Sequence, residues 1–160
     1  CYTEENEPNR REQLMPKLYP YTYRVLEEVT GEKEFWDFSR FEPDYVIINL
    51  GTNDFSYAKD VEGKRMAFEA VYYQFLLMVR MYRPKAHIIC VLGPMGTDLF
   101  PEIEKAVTSF IENEKDQNIE AFSFINQDEA DGIGTDSHPS LVTHQKIKAQ
   151  LVEKLQELIR

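Results

Sequence analysis

The chain is poor in cysteine, histidine and positive charge. It has two cysteines in 160 residues, Cys1 and Cys90, too few for a disulfide framework or a cysteine-built metal cage. Cys90 stands inside the apolar run HIICVL and reads as a buried core thiol. Lysine and arginine total 18 against 28 acidic residues, a net charge of -10. The basic residues form no cluster, which argues against a nucleic acid or an anionic membrane as partner. No apolar run approaches the roughly 20 residues that a membrane-crossing helix needs. Internal repeats and low-complexity linkers are absent. So are an initiator methionine and a signal-peptide pattern, and the opening CYTEENEPNRREQ reads as the interior of a longer polypeptide. What is present suits one packed domain: 42% of residues are hydrophobic, with ten phenylalanines and nine tyrosines, enough for a core at this length.

The apolar patterning alternates between strands and helices. Residues 1–13 are polar and read as a loop. LMPKLYPYTYR reads as an ordered, partly buried segment, and residues 23–29 as a helical turn. Pro43 sets the entry to a first strand, Tyr45 to Leu50, whose uninterrupted apolar run is that of a strand covered on both faces. An amphipathic helix is expected over about Val61 to Tyr82, with Val71, Phe75, Val79 and Tyr82 on one face. A second buried strand, AHIICVLGPM, follows. Pro101 opens another helix, with Ile103, Val107, Phe110 and Ile111 on its stripe. NIEAFSFI is a third strand, nearer an edge. A loop from Asn126 to His138 leads to a last helix, about Ser140 to Ile159, carrying Ile147, Leu151, Leu155 and Leu158. This β-α-β-α-β-loop-α order implies parallel strands with right-handed crossovers. Three strands make a narrow sheet, so further strands upstream are expected.

Two loops hold polar groups with a possible joint purpose. Gly51-Thr52-Asn53-Asp54 follows the first strand, and GIGTDSHPS, residues 132–140, precedes the last helix. Gly51 and its neighbours read as a turn. In a parallel sheet both loops fall on the carboxyl edge, where α/β sheets bind ligands. There Asn53 and His138 could face one another across a cleft. Acyl transfer needs such groups: an imidazole to take a hydroxyl proton, a carboxylate to orient it, and an amide N–H aimed at the oxyanion. Asp136, two residues before His138, is placed to hold the other ring nitrogen. The same residues also have plainer readings. His138 beside Pro139 suits a surface position, Asp136 suits the positive end of the following helix, and Asp54 suits an Asx turn. His87 and His144 read as structural. No ligand spacing supports a metal site.

The stretches VIINLGTNDFS and DSHPSLVTHQKI resemble those of the SGNH (GDSL-like) hydrolases. The finer resemblance, carried also by MPKLYP, WDFSRF, VLGPM and GTDSHPS in that order, is to carbohydrate esterase family 2, secreted bacterial deacetylases of plant polysaccharides. It covers about Leu14 to Ala149. The resemblance implies a flavodoxin-like three-layer α/β/α fold with a parallel sheet, its N-terminal strands missing from this chain. The whole of residues 1–160 would then be one partial hydrolase domain. The resemblance also implies roles: His138 as general base and then acid, Asp136 as its orienting carboxylate, Asn53 as oxyanion donor, with Gly51 allowing close backbone approach in the loop it forms with Thr52 and Asp54. The superfamily often places the acid three residues before the histidine, where this chain has Thr135. Family 2 often has an aromatic residue, commonly tryptophan, where this chain has Ser137.

The family's nucleophilic serine lies in a Gly-Asp-Ser block that is not found here, and neither is its second oxyanion donor, a glycine N–H. Ser39, Ser56, Ser109, Ser123, Ser137 and Ser140 lack the context of a nucleophile, so the attacking serine is expected upstream of this chain, and the chain alone is expected to be inactive. The reading is therefore a secreted or periplasmic carbohydrate acetylesterase. Its substrate would be an acetylated oligo- or polysaccharide such as xylan. It would need no metal or cofactor, and its partner would be the N-terminal remainder of the same polypeptide. Two alternatives stand beside it: a non-catalytic carbohydrate-binding module derived from an esterase, and a lipase- or thioesterase-type member of the superfamily.

Overall fold

A computed structural model describes residues 14–22, 31 and 33–159. The expected loop over residues 1–13, with Cys1, and the expected helical turn over residues 23–29 lie outside the described residues.

Among the described residues three parallel strands form the sheet: β1 (Tyr45–Asn49), β2 (His87–Leu92) and β3 (Ile119–Ser123), in the order β1-β2-β3. Tyr45 pairs with His87 and Asn49 with Val91, then Ile88 with Ile119 and Leu92 with Ser123. Among the described residues five α-helices accompany the strands: α1 (Met15–Leu18), α2 (Thr52–Ala58), α3 (Glu62–Tyr82), α4 (Phe100–Glu114) and α5 (Leu141–Leu158). Strand side chains alternate between faces. Ile48, Ile88, Cys90, Leu92 and Ile119 meet Phe68, Tyr72, Phe75, Leu76 and Val79 of α3 and Ile103, Val107 and Phe110 of α4. On the other face Ile89, Val91 and Phe124 meet Ile147, Leu151, Leu155 and Leu158 of α5. The sheet is thus flanked by helices on both faces, the α/β architecture expected from the alternating pattern.

The buried arc of α3 is wider than the expected stripe. Val71 and Tyr82 are only half-buried, whereas Phe68, Tyr72 and Leu76 join Phe75 and Val79 inside. This helix packs on the sheet and along α4 at once, so two of its faces need apolar side chains. Cys90 is a buried free thiol, as expected, and burial pushes it up to about 12.

The outer edge of β1 pairs with no strand among the described residues. Its Ile47 is 43% exposed, on the face that α5 covers farther along the sheet. No described helix is long and apolar enough to cross a membrane.

Candidate functional site

Parallel pairing brings the loops after all three strands to one edge of the sheet. β2 lies in the middle, so the ends of β1 and β3 stand about 10 Å apart at the usual strand spacing. The Asn53 loop and the His138 loop occupy the two sides.

On the β1 side, Gly51 adopts φ 139°, a conformation open to glycine. A Cβ there would lie 3.0 Å from the Leu92 side chain, so the backbone angle demands glycine and the space left for a side chain is tight. The expectation of a turn over residues 51–54 is corrected here: Gly51 alone makes the corner, and α2 begins at Thr52. Its carbonyl accepts from Phe55 N–H at 2.9 Å and starts the helix. Asn53 is exposed in the first turn, and Asp54 beside it is buried, 5% exposed. Burial raises the Asp54 carboxyl above its ordinary value of 3.8. A carboxylate in the first turn is favoured by the helix dipole, but at Asp54 burial outweighs that preference.

On the β3 side, residues 126–140 form a closed loop. Ile133 and Pro139 make an antiparallel bridge, and Gly134 N–H donates to the His138 carbonyl at 2.7 Å. Ser140 caps α5: its Oγ accepts from Thr143 N–H at 3.2 Å and donates to the Asp131 carbonyl at 2.8 Å. Lys146 reaches back to the Asp131 carboxylate at 2.5 Å. Between these ties the chain turns through two consecutive left-handed residues, Asp136 at φ 53° and Ser137 at φ 61°. For serine that conformation costs roughly 1–2 kcal/mol, while aspartate tolerates it better.

The turn aims two carbonyls at one imidazole nitrogen. His138 Nδ1 lies 3.0 Å from the Asp136 carbonyl oxygen and 3.2 Å from that of Thr135. Carbonyl oxygens only accept, so Nδ1 carries the proton and Nε2 is the basic nitrogen of the neutral ring. The carboxylate of Asp136 makes no hydrogen bond to the ring among the described residues; the contact that Asp136 supplies comes from its backbone. His138 is exposed, so Nε2 is open to a reacting group. Asn53 and His138 share the carboxyl edge, and no hydrogen bond joins them.

Two side chains that the sequence reading passed over tie these loops to the middle of the edge. Asn49, the last residue of β1, donates from Nδ2 to the Gly93 carbonyl at 2.8 Å. Gln127 donates from Nε2 to the Ser137 carbonyl at 2.9 Å, while its backbone N–H donates to the Pro94 carbonyl at 2.8 Å. Asn49 had one faint signal, an amide closing an otherwise apolar strand. Gln127 had none, since a loop glutamine is unremarkable in sequence. His87 belongs elsewhere: it starts β2 and lies 3.4 Å from Glu120. His144 is exposed on α5. Among the described residues no group of histidine, cysteine and acidic side chains could hold a metal ion.

No family model matches the chain. It is 36% identical over 146 residues to the cellulase/esterase CelE of Acetivibrio thermocellus, a match covering 89% of this chain and 17% of that protein. Among solved structures it superposes on an acetyl xylan esterase, Est2A, from the rumen bacterium Butyrivibrio proteoclasticus. There the TM-score is 0.80 at 26% identity, over 90% of this chain and 45% of the other. It also superposes on a family two carbohydrate esterase from Clostridium thermocellum in complex with cellohexaose. In that case the TM-score is 0.67 at 36% identity, over 86% of this chain and 42% of the other. The chain thus spans less than half the length of these relatives. Over most of its own length, in both fold and sequence, it resembles carbohydrate esterases of family 2.

Proposed function

We propose that this chain supplies the general base and one oxyanion donor of a serine esterase that removes acetyl groups from a polysaccharide such as xylan. One observation carries the reading: two backbone carbonyls hold Nδ1 of His138, leaving Nε2 basic and exposed at the carboxyl edge. In this reading a serine hydroxyl attacks the acetyl carbonyl while Nε2 takes its proton. The Asn53 amide donates to the oxyanion. His138 then protonates the departing sugar oxygen, and a water that gives a proton to Nε2 attacks the acyl-serine; Nε2 passes that proton to the departing serine oxygen, and acetate is freed. An oxyanion donor of this kind is worth about 2.7–4 kcal/mol in the barrier.

The attacking serine is proposed to come from outside these 160 residues. Among the described residues no serine hydrogen-bonds to His138. Ser140 is committed to capping α5, and Ser39 bonds to Asp37 on the segment leading into β1. The edge of β1, which pairs with no strand among the described residues, and exposed Ile47 offer a place for further strands of the same sheet. The resemblance to acetyl xylan esterases supports the substrate class.

The test is labelling by a fluorophosphonate, which marks activated serines, read by intact mass. It would be run on this chain and on the full-length protein, each beside His138→Ala. Labelling of a serine outside this chain, lost with His138→Ala, is the expected result. Labelling of this chain alone would place the nucleophile within it. Failure of both to label would turn the reading to a carbohydrate-binding module; the Clostridium thermocellum esterase was solved in complex with cellohexaose.

A further inference from the structure

We infer that Gln127 is a positioning residue for His138, an inference that rests on the reading of His138 as the base. The two carbonyls that hold Nδ1 are aimed by the left-handed pair Asp136 and Ser137. Such a pair does not persist by its own preference; its surroundings must impose it. The backbone ties of the loop, Gly134 N–H to the His138 carbonyl and His138 N–H to the Thr135 carbonyl, close the turn on either side. The carbonyl of Ser137, between the second left-handed residue and His138, is held instead by a side chain. Gln127 Nε2 donates to it at 2.9 Å.

Gln127 is suited to act as a strut. Its own backbone N–H is fixed to the Pro94 carbonyl on the loop after β2, so the brace runs from the centre of the sheet edge to the histidine. Its Oε1 is buried with no hydrogen-bond partner. Buried polar atoms are normally paired, so an apolar side chain would fill this space with less penalty. Only the donation to Ser137 uses the amide. The carbonyl it meets can only accept, which fixes the –NH2 toward the loop.

The experiment reads the tautomer of His138 in the full-length protein, labelled with 15N in its histidine rings, at a pH where the ring is neutral. The parent is expected to show mainly Nδ1–H. Gln127→Glu keeps the shape but, ionised, has no proton to donate; Gln127→Leu removes the amide altogether and answers the question should the glutamate variant not fold. Either variant is expected to move His138 to mainly Nε2–H, the form that free imidazole side chains favour. The amide spectrum of β2 and α3 should stay unchanged. A variant that folds and keeps the parent's Nδ1–H population overturns the role of Gln127 and leaves the reading of His138 standing. A parent that is mainly Nε2–H overturns the reading of His138 and this inference with it.

Discussion

At the scale of single residues, backbone and side chain exchange the parts expected of them. The Asp136 side chain has the spacing of an orienting carboxylate, yet its carbonyl meets the ring. Losing a carboxylate that truly orients a catalytic histidine costs about 10⁴-fold in kcat. Asp136→Asn keeps the carbonyl, and asparagine tolerates the left-handed region as well as aspartate does. If the full-length protein has the proposed esterase activity, this variant should therefore leave kcat on an acetylated xylo-oligosaccharide within a few-fold of the parent, while His138→Ala should abolish turnover. A loss approaching four orders of magnitude for Asp136→Asn would restore the carboxylate to that role.

Asp54 gives a pH dependence whose sign follows from its burial. Its carboxyl is raised above 3.8 in the folded protein, so between the unfolded and folded values the folded state holds the extra proton. Stability then falls as pH climbs through that window, because a carboxylate must be kept in a dry place. Asp54→Asn cannot ionise. Urea midpoints measured from pH 3.5 to 7 should decline in the parent relative to the variant, and parallel curves would remove Asp54 as the cause.

The elements were legible because their periods differ. Uninterrupted apolar runs announced β1 and β2, and a 3.6-residue period announced α3, α4 and α5. The start of α2 was hidden, because Gly-Thr-Asn-Asp is turn chemistry by composition and only the fold shows that Gly51 alone bends. Invisible too was the way elements are tied end to end. Arg65 near the start of α3 donates to both oxygens of Glu102 in the first turn of α4, at 2.9 and 2.8 Å. It also donates to the carbonyls of Lys59, just beyond α2, and Asp98, just before α4. Nothing in a residue separation of 37 reveals such a pair. Arg65→Met would strand a carboxylate on a residue only 6% exposed, and breaking a buried pair from one side costs about 3–5 kcal/mol. Arg65 is partly open to water, so a loss near the lower figure is expected in urea unfolding. Adding Glu102→Gln should recover part of it.

At the scale of the whole molecule, parallel topology followed from element order, and with it the placing of Asn53 and His138 on one edge. The bracing between them did not follow, because it depends on backbone carbonyls that every sequence possesses. The segment after β2 is where this bracing converges. Asn49 holds the Gly93 carbonyl from the β1 side, Gln127 holds that of Pro94 from the β3 side, and Arg65 holds that of Asp98 from α3. A chimera that grafts a relative's residues 93–99 into this chain would change the reference point for both arms of the site at once. The geometry of the edge is therefore carried over only when its three loops are exchanged as a set, together with the Asn49 and Arg65 side chains and the Gln127 backbone that hold the middle one.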